Sequence, residues 1–137
     1  MANNATVAVE PVELTDYFLE ENGVTFAGRH LLVDLWGARH LTDIGYIEQA
    51  LRDAAEAANA TVLEVKLHQF SDSGGVSGVA ILAESHISIH TWPERDYAAI
   101  DVFMCGSCNP YHSLPTLKSA FNAKSVAVNE TRRGVVD

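Results

Sequence analysis

Residues 83–94, AESHISIHTWPE, crowd two histidines, two serines, two carboxylates and a tryptophan into strand-like apolar spacing. His86 and His90, four apart, suggest a metal pair. However, Ile87, Ile89 and Thr91 are β-branched and Pro93 follows, so the segment reads as a strand and not a helix. On a strand two such rings share a face about 13 Å apart, and one zinc with ligands at about 2 Å cannot bridge them. Ser85, His90 and an acid such as Asp101 or Glu94 could make a hydrolytic triad. Yet AESHIS lacks the G-x-S-x-G elbow, and a triad is defined by geometry. Cys105-Gly106-Ser107-Cys108 has redox-pair spacing after a strand. No tryptophan precedes it, though, and Asn109-Pro110 interrupts the helix that should begin at once. Taken singly, His86 and Ser88 fit the open face of an antiparallel strand, and Cys108 fits an inert place in a turn. That plain reading strains to cover Glu84, Ser85, His90, Trp92 and Glu94 together.

The flanking segments must position this chemistry. RHLLVDLW, from residue 29 to 36, predicts a first strand. Thr42 or Asp43 can cap a helix whose stripe is Ile44, Ile47, Leu51, Ala54 or Ala55, and Ala58, with Asn59 at its end. TVLEVKLHQF alternates Val62, Val65 and Leu67 with Glu64, Lys66 and His68, a strand with one wet face. SDSGG is a turn cluster. VSGVAILAESHISIH reads as one long extended run, YAAIDVFMC as another strand, and GSCNP as a turn. Residues 112–123 predict a second helix with Leu114, Leu117 and Phe121 inward, and KSVAVNETR a last strand. Before residue 28 the chain reads as an extension. Met1 to Val9 is small and polar, and Leu14 to Glu21 predicts a short helix ended by Asn22-Gly23.

The resulting β-α-β-β-β-α-β order predicts an α+β two-layer sandwich, with two helices on one face of a mainly antiparallel sheet. The other face lacks a cover, which favours a dimer stacking sheet on sheet. The 137 residues suit one domain of 28–137 behind the 1–27 extension. A net charge of −9 argues against nucleic acid or anionic membrane as partner. With no secretion signal, no spanning run and two cysteines, a cytoplasmic protein with reduced thiols is expected.

GVSGVAILAESHISIHTWPE followed by YAAIDVFMCG, together with GRHLLVDL, resembles the prokaryotic pyruvoyl-dependent S-adenosylmethionine decarboxylase proenzymes. The likeness runs from residue 28 to about 132. The first 27 residues go beyond that family's usual start, and one residue is inserted in the turn FSDSGGVSG. The resemblance implies self-cleavage between Glu84 and Ser85, giving a β chain of 1–84 and an α chain of 85–137. Ser85 would attack the Glu84 carbonyl and turn the amide into an ester. Ser77 would support that step, and His90 would remove the Ser85 Cα proton as the ester breaks. Residue 85 would become a pyruvoyl group that replaces pyridoxal phosphate, forms a Schiff base with the substrate amine and accepts electrons as carbon dioxide leaves; no metal is implied. Cys105 matches the proton donor, Glu94 a carboxylate on the ribose hydroxyls, and Trp92 and Phe70 aromatic walls.

The implied substrate is S-adenosylmethionine, the product serves spermidine synthesis, and the site lies at a homodimer interface. Ornithine or arginine decarboxylation on the same fold, and an unprocessed non-catalytic subunit, stay open. Ser85 and His90 are five apart, so a flat strand sets them on opposite faces. A bend, bulge or strong twist is therefore expected between them.

Overall fold

The computed structural model describes residues 18–136. A short hairpin, β1 (Leu19–Glu21) and β2 (Val24–Phe26), precedes the main body. The body runs β3 (Gly28–Trp36), α1 (Ile44–Ala57), β4 (Val62–Gln69), β5 (Val76–Leu82), β6 (Ser85–Trp92), β7 (Tyr97–Cys105), α2 (Leu114–Ala120) and β8 (Ser125–Arg133). Six strands form one sheet in the order β4-β5-β6-β7-β3-β8, every neighbour antiparallel.

Alternation builds the two faces. Leu31, Val33 and Leu35 of β3, Ile87 and Ile89 of β6, and Ile100, Val102 and Met104 of β7 are buried toward the helices. There they meet Ile47, Leu51, Leu117 and Phe121. Each such side chain contributes about 1.5–3 kcal/mol by leaving water. The Asp43 side chain caps α1 by accepting the Tyr46 N–H at 3.1 Å. The expected stripe is buried except for Ile44, which is exposed.

The two-layer α+β architecture is as expected, with three corrections in detail. First, the run read as one strand is two, β5 and β6, folded back on each other at Ala83-Glu84. Glu84 takes φ 64, a left-handed conformation that a carboxylate side chain does not advertise. Secondly, Leu19–Glu21 is a strand, not helix; Leu14 to Tyr17 lie outside the described residues. Asn22 (φ 53) and Gly23 (φ 83) form the two-residue turn of a hairpin, for which Asn-Gly is also the preferred sequence. The hairpin is tied down by Phe26, fully buried, and by Glu21, which pairs with Arg29 and Arg132, both at 2.6 Å. Thirdly, α2 is shorter than expected, because Pro110–Ser113 forms a separate 3-10 turn before it.

The face away from the helices carries Leu32, Trp36, Ile81 and Trp92, each about 40% exposed or more. Among the described residues no helix is long and apolar enough to cross a membrane.

Candidate active site

The hairpin between β5 and β6 presents the Glu84–Ser85 peptide at one end of the sheet. Leu82 pairs with Ser85 across it, so the turn consists of Ala83 and Glu84 alone. Cys105 ends β7, the strand beside β6. Its thiol donates to the Glu84 carbonyl at 3.1 Å and lies 3.9 Å from Ser85 Oγ. Burial pushes the Cys105 thiol up from its ordinary value, the Ser85 contact acts the other way, and nearby Glu84 adds to the rise. The net effect holds the sulfur protonated, as a hydrogen-bond donor to that carbonyl. Asn59, Thr61, Ser107 and Cys108 complete a cavity of about 210 Å³ around this junction.

A second cluster stands at the other end of β6. Ser77 of β5 and His90 of β6 are register partners, and Ser77 Oγ lies 2.9 Å from His90 Nδ1. Phe70, Trp92 and Glu94 line the same cavity of about 190 Å³. Five residues singled out in the sequence therefore share one pocket. Trp92 extends an aromatic row along the open face: its ring centroid is 5.2 Å from that of Tyr97, which stacks on Trp36 at 4.3 Å. The Tyr97 hydroxyl donates to Asp34 at 2.6 Å, and that bond pushes its pKa up to about 12. Tyr97 and Trp36 carry no reactive pattern in the sequence. Only register, Trp92 to Tyr97 to Trp36, places them beside the pocket.

The expected bend between Ser85 and His90 is absent. β6 pairs with β7 residue by residue from His86 to Trp92 with no register shift. Five residues of regular strand separate the two groups by about 16 Å. Ser85 shares its side with Ile87 and Ile89, and His90 shares the open face with His86 and Trp92. One chain thus assembles Glu84, Ser85 and Cys105 at one end, and Ser77, His90, Glu94, Trp92 and Phe70 at the other.

Comparisons with known proteins bear on what these clusters are. The family model described as S-adenosylmethionine decarboxylase matches residues 29–134. An S-adenosylmethionine decarboxylase proenzyme of Thermomicrobium roseum is 44% identical over 110 residues, covering 80% of this chain and 95% of that protein. The proenzyme of the same name from Methanococcus maripaludis is 44% identical over 113 residues, covering 80% and 92%. The crystal structure of the adenosylmethionine decarboxylase from Aquifex aeolicus superposes with a TM-score of 0.71 at 35% identity, covering 82% of this chain and 94% of that one. With both clusters inside the matched span, the chain belongs to the S-adenosylmethionine decarboxylase family.

Proposed function

We propose that this chain is a self-processing S-adenosylmethionine decarboxylase that cuts itself between Glu84 and Ser85, and that its product feeds spermidine synthesis. The observation that carries this reading is the Cys105 thiol set on the Glu84 carbonyl beside Ser85, at a strained turn in a chain of this family. Attack of Ser85 Oγ on that carbonyl is uphill. A donor to the carbonyl oxygen favours the developing charge. A residue held in the left-handed region adds strain of roughly 1–3 kcal/mol, which cleavage releases.

Loss of the Ser85 Cα proton then needs a base. With Nδ1–H donating to Ser77 Oγ, the Nε2 of His90 keeps its lone pair and can take that proton. The distance along β6 supports a reaction between two copies. A second copy laid on the open sheet face, with its strands reversed, brings its His90 and Ser77 toward the Glu84–Ser85 junction of the first. The exposed Leu32, Trp36, Ile81 and Trp92 support such a partner.

The pyruvoyl group left at position 85 supplies a ketone that engages the substrate amine and takes up electrons as carbon dioxide departs. The residues around the junction fit it: the protonated Cys105 sulfur stands near the position 85 side chain and can deliver a proton there. Glu94 suits ribose hydroxyls and a sulfonium charge, and Trp92 and Phe70 form aromatic walls.

Intact-mass measurement of the purified protein tests the first step: two chains divided after residue 84 are expected, and Ser85→Ala should leave one. An uncut wild-type chain would support the non-catalytic alternative. A cut protein that releases carbon dioxide from ornithine or arginine, and none from S-adenosylmethionine, would overturn the substrate and keep the mechanism.

A further inference from the structure

The reaction uses only the first thiol of Cys105-Gly106-Ser107-Cys108. Gly106 takes φ 61, and the Cys108 N–H donates back to the Cys105 carbonyl at 3.3 Å, closing a tight turn. Such a turn holds its end Cα atoms within about 7 Å, and a disulfide spans about 4.4–6.8 Å. Both thiols are half-buried and free, and both line the cavity at the Glu84–Ser85 junction. Each donates to a backbone carbonyl, Cys105 to Glu84 at 3.1 Å and Cys108 to Asn59 at 3.3 Å, and these weak bonds break on side-chain rotation. The sulfurs are near enough for charge on Cys108 to push the Cys105 thiol up.

We propose that Cys105 and Cys108 close a reversible disulfide by exchange with a low-molecular-weight disulfide, and that this bond withdraws the Cys105 thiol from Glu84 and Ser85. The Cys108 thiolate attacks one sulfur of the small disulfide, forms a mixed disulfide and expels the first small thiolate. The Cys105 thiolate then attacks the Cys108 sulfur and expels the second. The cysteine pair loses two electrons and two protons, and the small disulfide gains both as two thiols. The effect on turnover rests on the proton-donor role proposed for Cys105; the bond itself does not.

Purified, self-cleaved protein is equilibrated in oxidised and reduced glutathione at stepped ratios. Free thiols are then blocked with iodoacetamide, and the 85–137 chain is weighed and mapped. The expected product is two hydrogens lighter, carries no label on either cysteine and yields a Cys105–Cys108 cross-linked peptide. Turnover should fall with the same midpoint, by on the order of a hundredfold when fully oxidised, and return with dithiothreitol. Cys108→Ser should match the reduced wild type in turnover, form no cross-link and lose that midpoint. Glutathione adducts without a cross-link at every ratio would overturn the proposal, as would a cross-linked protein that turns over at full rate. Cross-linking in a protein that, when reduced, releases no carbon dioxide from S-adenosylmethionine would count against the proposed reaction and leave the disulfide standing.

Discussion

Cys105 touches both stages of the proposed chemistry, and separate assays of cleavage and turnover distinguish its two contacts. In the uncut chain its thiol donates to the Glu84 carbonyl and lies 3.9 Å from Ser85 Oγ. Cys105→Ala should therefore slow self-cleavage as well as turnover, the latter by on the order of a hundredfold. Timed gels for the precursor and carbon dioxide release for the cut enzyme measure the two effects. A variant that cleaves at the wild-type rate would remove the first role. The direction of its shift sets a pH test. Burial raises the pKa, so the donor form persists as pH rises past the ordinary thiol value of about 8.5. The alkaline limb of turnover should lie above that value; a limb below it would show that another group supplies the proton. Ser77→Ala removes the partner of His90 Nδ1 and should slow cleavage less than His90→Ala, because the imidazole itself remains. At this scale the family resemblance did much: the residues it singled out, Ser77, His90, Trp92, Glu94 and Phe70, line one pocket as a set. The thiol-to-carbonyl contact was not legible, because twenty-one positions separate Cys105 from Glu84 and only strand pairing closes the gap.

The β5–β6 hairpin is the element on which the proposed cleavage depends, and its residues read in sequence as one continuous strand. Apolar alternation persists through Ile81, Leu82 and Ala83 into Ser85, and no glycine, proline or asparagine marks the reversal. The turn is instead made by a glutamate at φ 64. Asn22-Gly23 misled in the opposite way, since a residue pair that tolerates positive φ both ends helices and closes hairpins. The helices and remaining strands were legible because 3.6-residue and two-residue periods are distinct over eight or more positions. A turn without a turn residue implies stored strain. In the uncut Ser85→Ala background, Glu84→Gly should raise the stability of the precursor by about 1 kcal/mol, read as a higher midpoint in urea. In the cleavable protein the same change should slow cutting. A glycine variant that is no more stable would place the driving force elsewhere.

The whole molecule decides where one site ends and another begins. The open face is a sheet surface with large apolar side chains exposed and titratable groups between them. His30 and Asp101 lie 3.8 Å apart, and His86 meets His30 with ring centroids 5.9 Å apart. No pattern in a single chain could reveal whether its two reactive clusters serve each other's copies, since alternation reports which face a residue takes and not what lies opposite. The regular register of β6 turns this into a test in mixed dimers. Ser85→Ala keeps His90 and cannot cut; His90→Ala keeps Ser85 and lacks the base. If the base acts across the interface, co-expression should restore cutting to the His90→Ala chain, because its partner supplies an intact His90 while the Ser85→Ala chain stays whole. Distinct tags on the two chains separate the products by mass, and each variant expressed alone gives the baseline. In a random assembly about half of the dimers are mixed, and each mixed dimer holds one competent junction, so roughly half of the His90→Ala chains should be cut. Cutting no greater than in His90→Ala alone would confine the base to its own chain. β6 would then have to abandon its paired register to bring His90 to Ser85, a rearrangement that hydrogen exchange at Ile87 and Ile89 would detect.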